Sequence, residues 1–348
     1  MVRSQSAAEP VTPEMVAALL RESGIDVSGG VSLRRIGIGQ SNLTSLMTDE
    51  AGRAWVLRQP PPGEGGTAHD MAREVLFLKA MRNTGVPVPQ VVADRADANG
   101  RLYYVMTEMP GVVLESEADA EGLDPDTRRA LGEDVIDVLA RLHTLEPASV
   151  GLGHLSSTTP YVRRQIRRAA QMWDRVGTQS PLDPLWREVC DGLDRSVPPE
   201  PPSAIVHGDY RLSNLLVRNG AVSAVLDWEL AAVGDPLVDL AWLLDDWRAP
   251  DEPAIAMPSP TRAGGFPDRG ALIERYAAAT GIEARYLDGL GFYRALTTWR
   301  AASLLQGVVD RRRSGRFEDH SGITVESIEN SVAALLEQSQ IHLRSSAA

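Results

Sequence analysis

Short apolar runs separated by turn residues fill the chain up to Thr107, and apolar residues at three- and four-residue spacing fill most of it afterwards. Ahead of the runs, Thr12 as cap and Pro13 at the first helical position open a short helix that ends at Leu20. The runs over 31–38 and 43–48 read as two strands joined by Gly37-Ile38-Gly39-Gln40-Ser41-Asn42, and 53–58 as a third, entered through a turn at 49–52. Met71, Val75, Leu78 and Met81 share one face of a predicted helix over 69–81. Two more strands follow, around 91–93 and over 102–107. Three strands, one helix and two strands describe a small sheet with one packed helix. Glu108-Met109-Pro110-Gly111 breaks the pattern and reads as a linker. Beyond it, 126–145 is amphipathic through Leu131, Val135, Val138, Leu139 and Leu142. The stretches 161–175, 185–193, 236–246, 269–279, 286–309 and 324–343 also read as helices. The expected fold is α+β: a small antiparallel sheet lobe at 1–107, a hinge linker at 108–111 and a larger helical lobe at 112–348. A junction of two lobes is where ligand sites concentrate.

One hairpin interrupts the helical part. Leu215-Leu216-Val217 and Ala224-Val225-Leu226 flank Asn219-Gly220, the strongest local hairpin signal a sequence offers. A hairpin returns its ends to one place, so Asn214 at its entrance and Asp227 at its exit are expected side by side, with Asp209 just upstream. Two oxygen-bearing side chains facing one point suit a hard divalent cation, Mg²⁺ above all, completed by substrate phosphates. A third carboxylate within reach of an incoming hydroxyl is then the base or orienting group, the arrangement phosphoryl transfer needs. A carboxylate of ordinary pKa is a weak base, so Asp209 is expected to orient the hydroxyl and accept its proton late.

The neighbours of this set have supporting readings. His207 is expected to hydrogen-bond the loop or the backbone of Asp227, and Arg211 to meet an anionic substrate or γ-phosphate, or else to form a loop salt bridge. Asp235 caps the next helix with Pro236 at its first position, and Asp239 braces the loop. Taken singly, Asp and Asn near turns are turn formers or caps. The spacing His-x-Asp-x-x-x-x-Asn, shared with protein-kinase catalytic loops, is what makes the set specific.

In the sheet lobe, Gly37 and Gly39 let backbone amides approach phosphates, with Ser41 and Asn42 as further donors. A lone Gly-x-Gly is otherwise an ordinary hairpin turn. Arg58, at the end of the third strand, supplies a fixed cation for phosphate, and Glu74 in the following helix is its expected partner. The backbone of Glu108 and Met109 is placed to hydrogen-bond adenine. Tyr210, Arg211, Trp242, Arg294 and Trp299 are candidates to line an acceptor pocket, with Trp242 and Trp299 equally readable as core. Arg294 and Arg300 share a helix and are read as surface salt-bridge residues or as binders of a substrate phosphate or carboxylate.

Composition narrows the classes. The 348 residues suffice for two cores, and 43% apolar residues are ordinary for a soluble protein. A formal net charge of −12 argues against non-specific nucleic-acid binding. The single cysteine, Cys190, leaves no internal disulfide framework. No run approaches the roughly 20 apolar residues of a membrane span, and the start lacks an apolar secretory core. A cytoplasmic protein with no membrane partner is the expectation; oligomeric state is left open.

The stretch from His207 to Leu216, then Val225-Leu226-Asp227-Trp228-Glu229 and Gly234-Asp235-Pro236-Leu237-Val238-Asp239-Leu240-Ala241, resembles the signature of the aminoglycoside phosphotransferase-like family, relatives of the choline and protein kinases. Gly39-Gln40-Ser41-Asn42, Val56-Leu57-Arg58, Pro60-Pro61-Pro62-Gly63, Arg73-Glu74, Val86-Pro87-Val88-Pro89 and Asp209-Tyr210-Arg211 are most similar to the branch fused to some acyl-CoA dehydrogenases. The resemblance implies a protein-kinase-like two-lobed fold and an ATP-dependent kinase of a small-molecule hydroxyl, with hydroxyacyl compounds an expected acceptor class. It assigns the base to Asp209, the magnesium ligands to Asn214 and Asp227, and the loop histidine to His207. Arg58 departs from the lysine of the wider family, and the glycine loop lacks the third glycine of protein kinases. Two rivals remain: an antibiotic kinase and a nucleotide-binding module without transfer. For the former, the acidic runs 115–121 and Asp245-Asp246 are candidate cation sites or solvated faces.

Overall fold

The computed structural model describes residues 11–36, 42–60, 68–97, 100–315 and 323–346. The chain groups into two compact units, one of Met1–Gly111 with Ser223–Ala231, the other of Val112–Val222 with Ala232–Ala348.

In the first unit, β1 (Val31–Arg35), β2 (Leu43–Asp49), β3 (Ala54–Gln59), β4 (Val91–Ala96) and β5 (Leu102–Thr107) form one sheet in the order β1-β2-β3-β5-β4. All its pairings are antiparallel. Central strands bury consecutive residues because both faces are covered, which is why they read as runs and not as alternation. Trp55, Leu57, Tyr103 and Val105 join Val16, Leu19 and Leu20 of α1 (Pro13–Glu22) in one apolar cluster. By the two-residue period, Val56, Arg58, Tyr104 and Met106 point to the other face, and Arg58 lies directly opposite Tyr104. Helix α2 (Ala68–Ala80) packs against β5. Thr12 caps α1 as expected, its Oγ1 accepting the Met15 N–H at 3.3 Å, and the helix runs two residues past Leu20. The expected strand end at 37–38 lies outside the described residues.

Segment 223–231 is expected with 112–348 but groups with the sheet unit. The reasons are local contacts. The Val225 N–H donates to Pro87 O at 2.8 Å, Arg73 Nη1 donates to Ala231 O at 3.0 Å, and Trp228 stacks on Phe77 at 6.5 Å.

The second unit carries β6 (Val112–Val113), α3 (Glu117–Glu121), α4 (Pro125–Thr144), α5 (Tyr161–Val176), α6 (Asp183–Arg195), β7 (Ala204–Val206) and β8 (Leu215–Arg218). Strand β9 (Ala221–Val225) crosses the division after Val222. Then come β10 (Ala232–Gly234), α7 (Pro236–Asp246), α8 (Arg269–Thr280), α9 (Ala284–Leu287), α10 (Leu290–Arg313) and α11 (Val325–Ser346). Strands β6, β8 and β9 make a small sheet, and β7 pairs with β10. Sequence periodicity misses β6, β7 and β10 because two or three residues are too few to show a period. The helix expected over 286–309 is divided between α9 and α10 at Asp288-Gly289. Asp and Gly are weak helix formers, and the Gly289 N–H turns back to Tyr286 O.

Helix α7 is buried on every side, from Pro236 to Asp245, as expected of a helix whose apolar residues leave no polar face. Trp173, Trp186 and Trp299 stack in series with ring centroids 4.8 and 4.5 Å apart, tying α5, α6 and α10 together. Trp299 is therefore core, not pocket lining. Among the described residues, no helix is long and apolar enough to cross a membrane.

Candidate active site

In the first unit the structure brings Arg58, Glu74 and Asp227 together. Arg58 Nη1 lies 3.0 Å from Glu74 Oε1, and its Nη2 lies 3.5 Å from Asp227 Oδ1. Strand β3 delivers Arg58 to the face that α2 covers, so the pair is almost dry: its side chains are 12% and 2% exposed. Burial pushes the Glu74 carboxyl up to about 7, against the opposing pull of Arg58. Burial also disfavours the Arg58 charge, but Glu74, Tyr104 and Asp227 outweigh it and raise its pKa. Removing one partner of such a buried pair costs about 3–5 kcal/mol. Tyr104, opposite Arg58 in the sheet, faces the same cluster. Among the described residues, its hydroxyl, Glu74 Oε2 and Arg58 Nε are buried and close no hydrogen bond of ordinary geometry. Sequence reading missed Tyr104: strand alternation gives the face of each residue, but the β3–β5 register that sets Tyr104 opposite Arg58 is not local.

Asp227 itself adopts φ 63° and ψ 63°, the left-handed region that costs a non-glycine residue strain. Asn42 is buried just before β2, Glu108 is exposed and Met109 is half-buried after β5. Gly37, Gly39 and Ser41 lie outside the described residues.

The second unit holds Asp209 in a fixed pose. Asn214 Nδ2 donates to Asp209 Oδ2 at 2.7 Å and to its carbonyl at 2.9 Å. Trp242 Nε1 donates to Asp209 Oδ1 at 2.7 Å. The Asp209 N–H donates to His207 Nδ1 at 3.3 Å, which assigns that nitrogen as the acceptor. Behind the loop, Asp239 of α7 accepts the backbone N–H of His207 at 2.5 Å and of Gly208 at 2.8 Å. Asp239 is fully buried; burial opposes its charge, yet hydrogen bonds from His143 and the loop hold its pKa below the usual carboxylate range. His143, on α4, shares its ring nitrogens between Asp239 at 3.4 Å and the Tyr276 hydroxyl at 2.7 Å. No motif marks His143, and only the tertiary fold identifies it.

Asp235 caps α7 through the Leu237 N–H at 2.9 Å and accepts from the Tyr293 hydroxyl at 2.6 Å. Arg211 pairs with buried Asp246 at 3.1 Å, the loop salt bridge among its two readings. Arg294 likewise binds Asp245, at 2.8 Å, in a mostly buried pair and not a surface one. Asp245 and Asp246 are thus no solvated face: Asp245 is buried, the Asp246 side chain is mostly covered, and both are matched by arginines. In the other acidic run, Asp119 closes a capping box with Ser116 at the start of α3.

Comparison with known proteins gives the family and the fold. Residues 32–302 match the family model described as the phosphotransferase enzyme family. The chain is 31% identical to acyl-CoA dehydrogenase family member 10 of Mus musculus over 84% of its length, and 31% identical to family member 11 of Gallus gallus over the same share. It spans only 28% and 38% of those two relatives. A crystal structure of a candidate aminoglycoside phosphotransferase from Ralstonia eutropha is 27% identical with a TM-score of 0.79, covering 96% of this chain and 98% of that one. An aminoglycoside phosphotransferase in ternary complex with ADP and hygromycin B shares the fold at 18% identity and a TM-score of 0.61, over 97% of this chain and all of that one. The match over most of the chain, with the same small antiparallel sheet and helical part, decides the family: this chain belongs to the phosphotransferase enzyme family.

Proposed function

We propose that the protein is an ATP- and Mg²⁺-dependent kinase that moves the γ-phosphoryl group to a hydroxyl of a small molecule. The observation that carries this reading is the double restraint on Asp209, whose two carboxylate oxygens each accept one side-chain hydrogen bond, from Asn214 and from Trp242. Each oxygen keeps a further lone pair for an incoming hydroxyl. A base fixed this way spends no free energy on ordering itself when the acceptor arrives. Arg58 is the proposed phosphate cation, already charged and oriented by Glu74.

The donor types fit the metal. Asn214 uses its amide nitrogen on Asp209, which leaves its oxygen, and Asp227 offers a carboxylate that is 36% exposed. Both are hard oxygen donors of the kind Mg²⁺ takes together with substrate phosphates. Bound Mg²⁺ neutralises charge on the transferred phosphoryl group. The relatives are named for acyl-CoA, and a hydroxyacyl acceptor would be in keeping with that. The antibiotic reading draws on neighbours bound to hygromycin B and kanamycin. It lacks a free acidic site in this chain at Asp245 and Asp246.

ADP release measured across a library of hydroxyl compounds tests the proposal. Transfer to at least one of them is expected, with Asp209→Ala and Asp227→Ala each losing about 10²-fold or more. Nucleotide binding with no product across the library would favour the module without transfer, and near-normal turnover in either variant would remove the assigned roles.

A further inference from the structure

Among the described residues of the first unit, three buried side-chain atoms close no ordinary hydrogen bond, and they belong to one cluster: Arg58 Nε, Glu74 Oε2 and the Tyr104 hydroxyl. Buried polar groups are nearly always paired, so a group of three orphans has a cause. The cluster is half closed. Arg58 Nη1 holds Glu74 Oε1 at 3.0 Å, while Nη2 reaches Asp227 Oδ1 only at 3.5 Å. Guanidinium and carboxylate meet best through two parallel bonds. Here one is made, and the second carboxylate oxygen is unheld. Tyr104 is placed to hold it. The β3–β5 register sets this residue directly opposite Arg58, and it is fully buried. Burial, with Glu74 beside it, raises its phenol well above the usual value, so it keeps its proton and is a donor. The hydroxyl already draws the Glu74 carboxyl down, against the larger upward push of burial. The two groups thus interact without having closed.

An anionic phosphate competes with Glu74 for the same guanidinium. A carboxylate held by one bond gives way to it; a carboxylate held at both oxygens keeps Arg58 in place. We propose that Tyr104 is a positioning residue for the phosphate cation: when phosphate draws on Arg58, the Tyr104 hydroxyl closes on Glu74 Oε2 and keeps Oε1 on Arg58 Nη1. The inference rests on the kinase reading, in which Arg58 meets the nucleotide's phosphates, and adds to it a residue that touches neither phosphate nor metal. A tyrosine that only fills the core is the competing account.

Tyr104→Phe keeps the ring and removes one oxygen, so the two accounts part. The resting cluster makes no ordinary bond through that oxygen, and the urea midpoint of the full chain is expected to stay at the parent's value. Calorimetric titration with ATP and Mg²⁺ is expected to show an affinity lower by about tenfold or more, the size of one hydrogen bond to a charged group. Affinity for adenosine, which carries no phosphate, should not change. With tyrosine ¹³C-labelled at Cζ, the signal identified as Tyr104 by its absence in Tyr104→Phe should move on adding ATP and Mg²⁺ and stay in place with adenosine. An ATP affinity within about twofold of the parent, an equal loss for adenosine, a lowered urea midpoint in step with the loss, or a Tyr104 signal that ATP does not move overturns the proposal and leaves the kinase reading standing. A parent chain that binds no ATP removes the kinase reading and the Tyr104 role together.

Discussion

Arg58, Glu74 and Asp227 show how much a single residue's surroundings decide. Sequence order pairs Arg58 with Glu74, but only the sheet register and α2 make the pair nearly dry. Burial lifts Glu74 from 4.5 to about 7, so the folded state holds its proton over a window in which the unfolded chain has released it. Stability from this group is therefore full below about pH 4.5 and is lost as pH rises through about 7. Glu74→Gln removes that dependence. Each pH unit of the window is worth about 1.4 kcal/mol at most, so the variant should gain roughly 3 kcal/mol relative to the parent on going from about pH 4 to about pH 8. Urea unfolding at a series of pH values measures this, and parallel stability curves would show that Glu74 titrates normally.

At the scale of elements, the legible parts are those whose signal is local. Asn219 and Gly220 both take positive φ, 53° and 74°, the conformation that makes Asn-Gly a hairpin signal in the first place. Thr12 caps its helix as the sequence implies, and Asp124 and Asp268, not picked out from the sequence, cap theirs by the same short-range hydrogen bond. The tryptophan stack was not legible, because its members lie on three helices. Trp186 sits in its middle, is 1% exposed and donates to Ser303 Oγ at 2.8 Å. Trp186→Ala should therefore cost about 3–5 kcal/mol. A fall in the urea midpoint at unchanged slope would report that loss, and a shift well under 1 kcal/mol would mean that the helices are held elsewhere.

For the whole molecule, nucleotide binding has a thermodynamic signature independent of any acceptor. ATP with Mg²⁺ at a hundred times its Kd should stabilise the folded chain by about 2.7 kcal/mol. Removing the metal with a chelator should shrink the gain, and Asn214→Ala or Asp227→Ala should respond to the chelator far less than the parent. Thermal unfolding with and without chelator measures both. A nucleotide shift that ignores the metal in the parent would argue against the magnesium roles.

The sequence by itself determined the α+β class and the family, because both are written in short-range patterns: apolar runs, helical spacing and one tightly spaced set from His207 to Asp239. It put Asp209, Asn214 and Asp227 forward as one candidate group, since a hairpin and its flanks are neighbours in the chain; the structure sets Asn214 on Asp209 in one unit and Asp227 beside Arg58 in the other. Tertiary structure alone decided which charges are available for chemistry. Asp245, Asp246, Arg211 and Arg294 look alike on paper as free ionic residues, yet folding pairs them and shields most of their side-chain surface. Likewise, nothing in the local sequence aims Trp242 at Asp209 or lays Tyr104 beside Arg58. Pairing across long separations depends on how elements pack, and a one-dimensional pattern carries the faces of elements but not their partners.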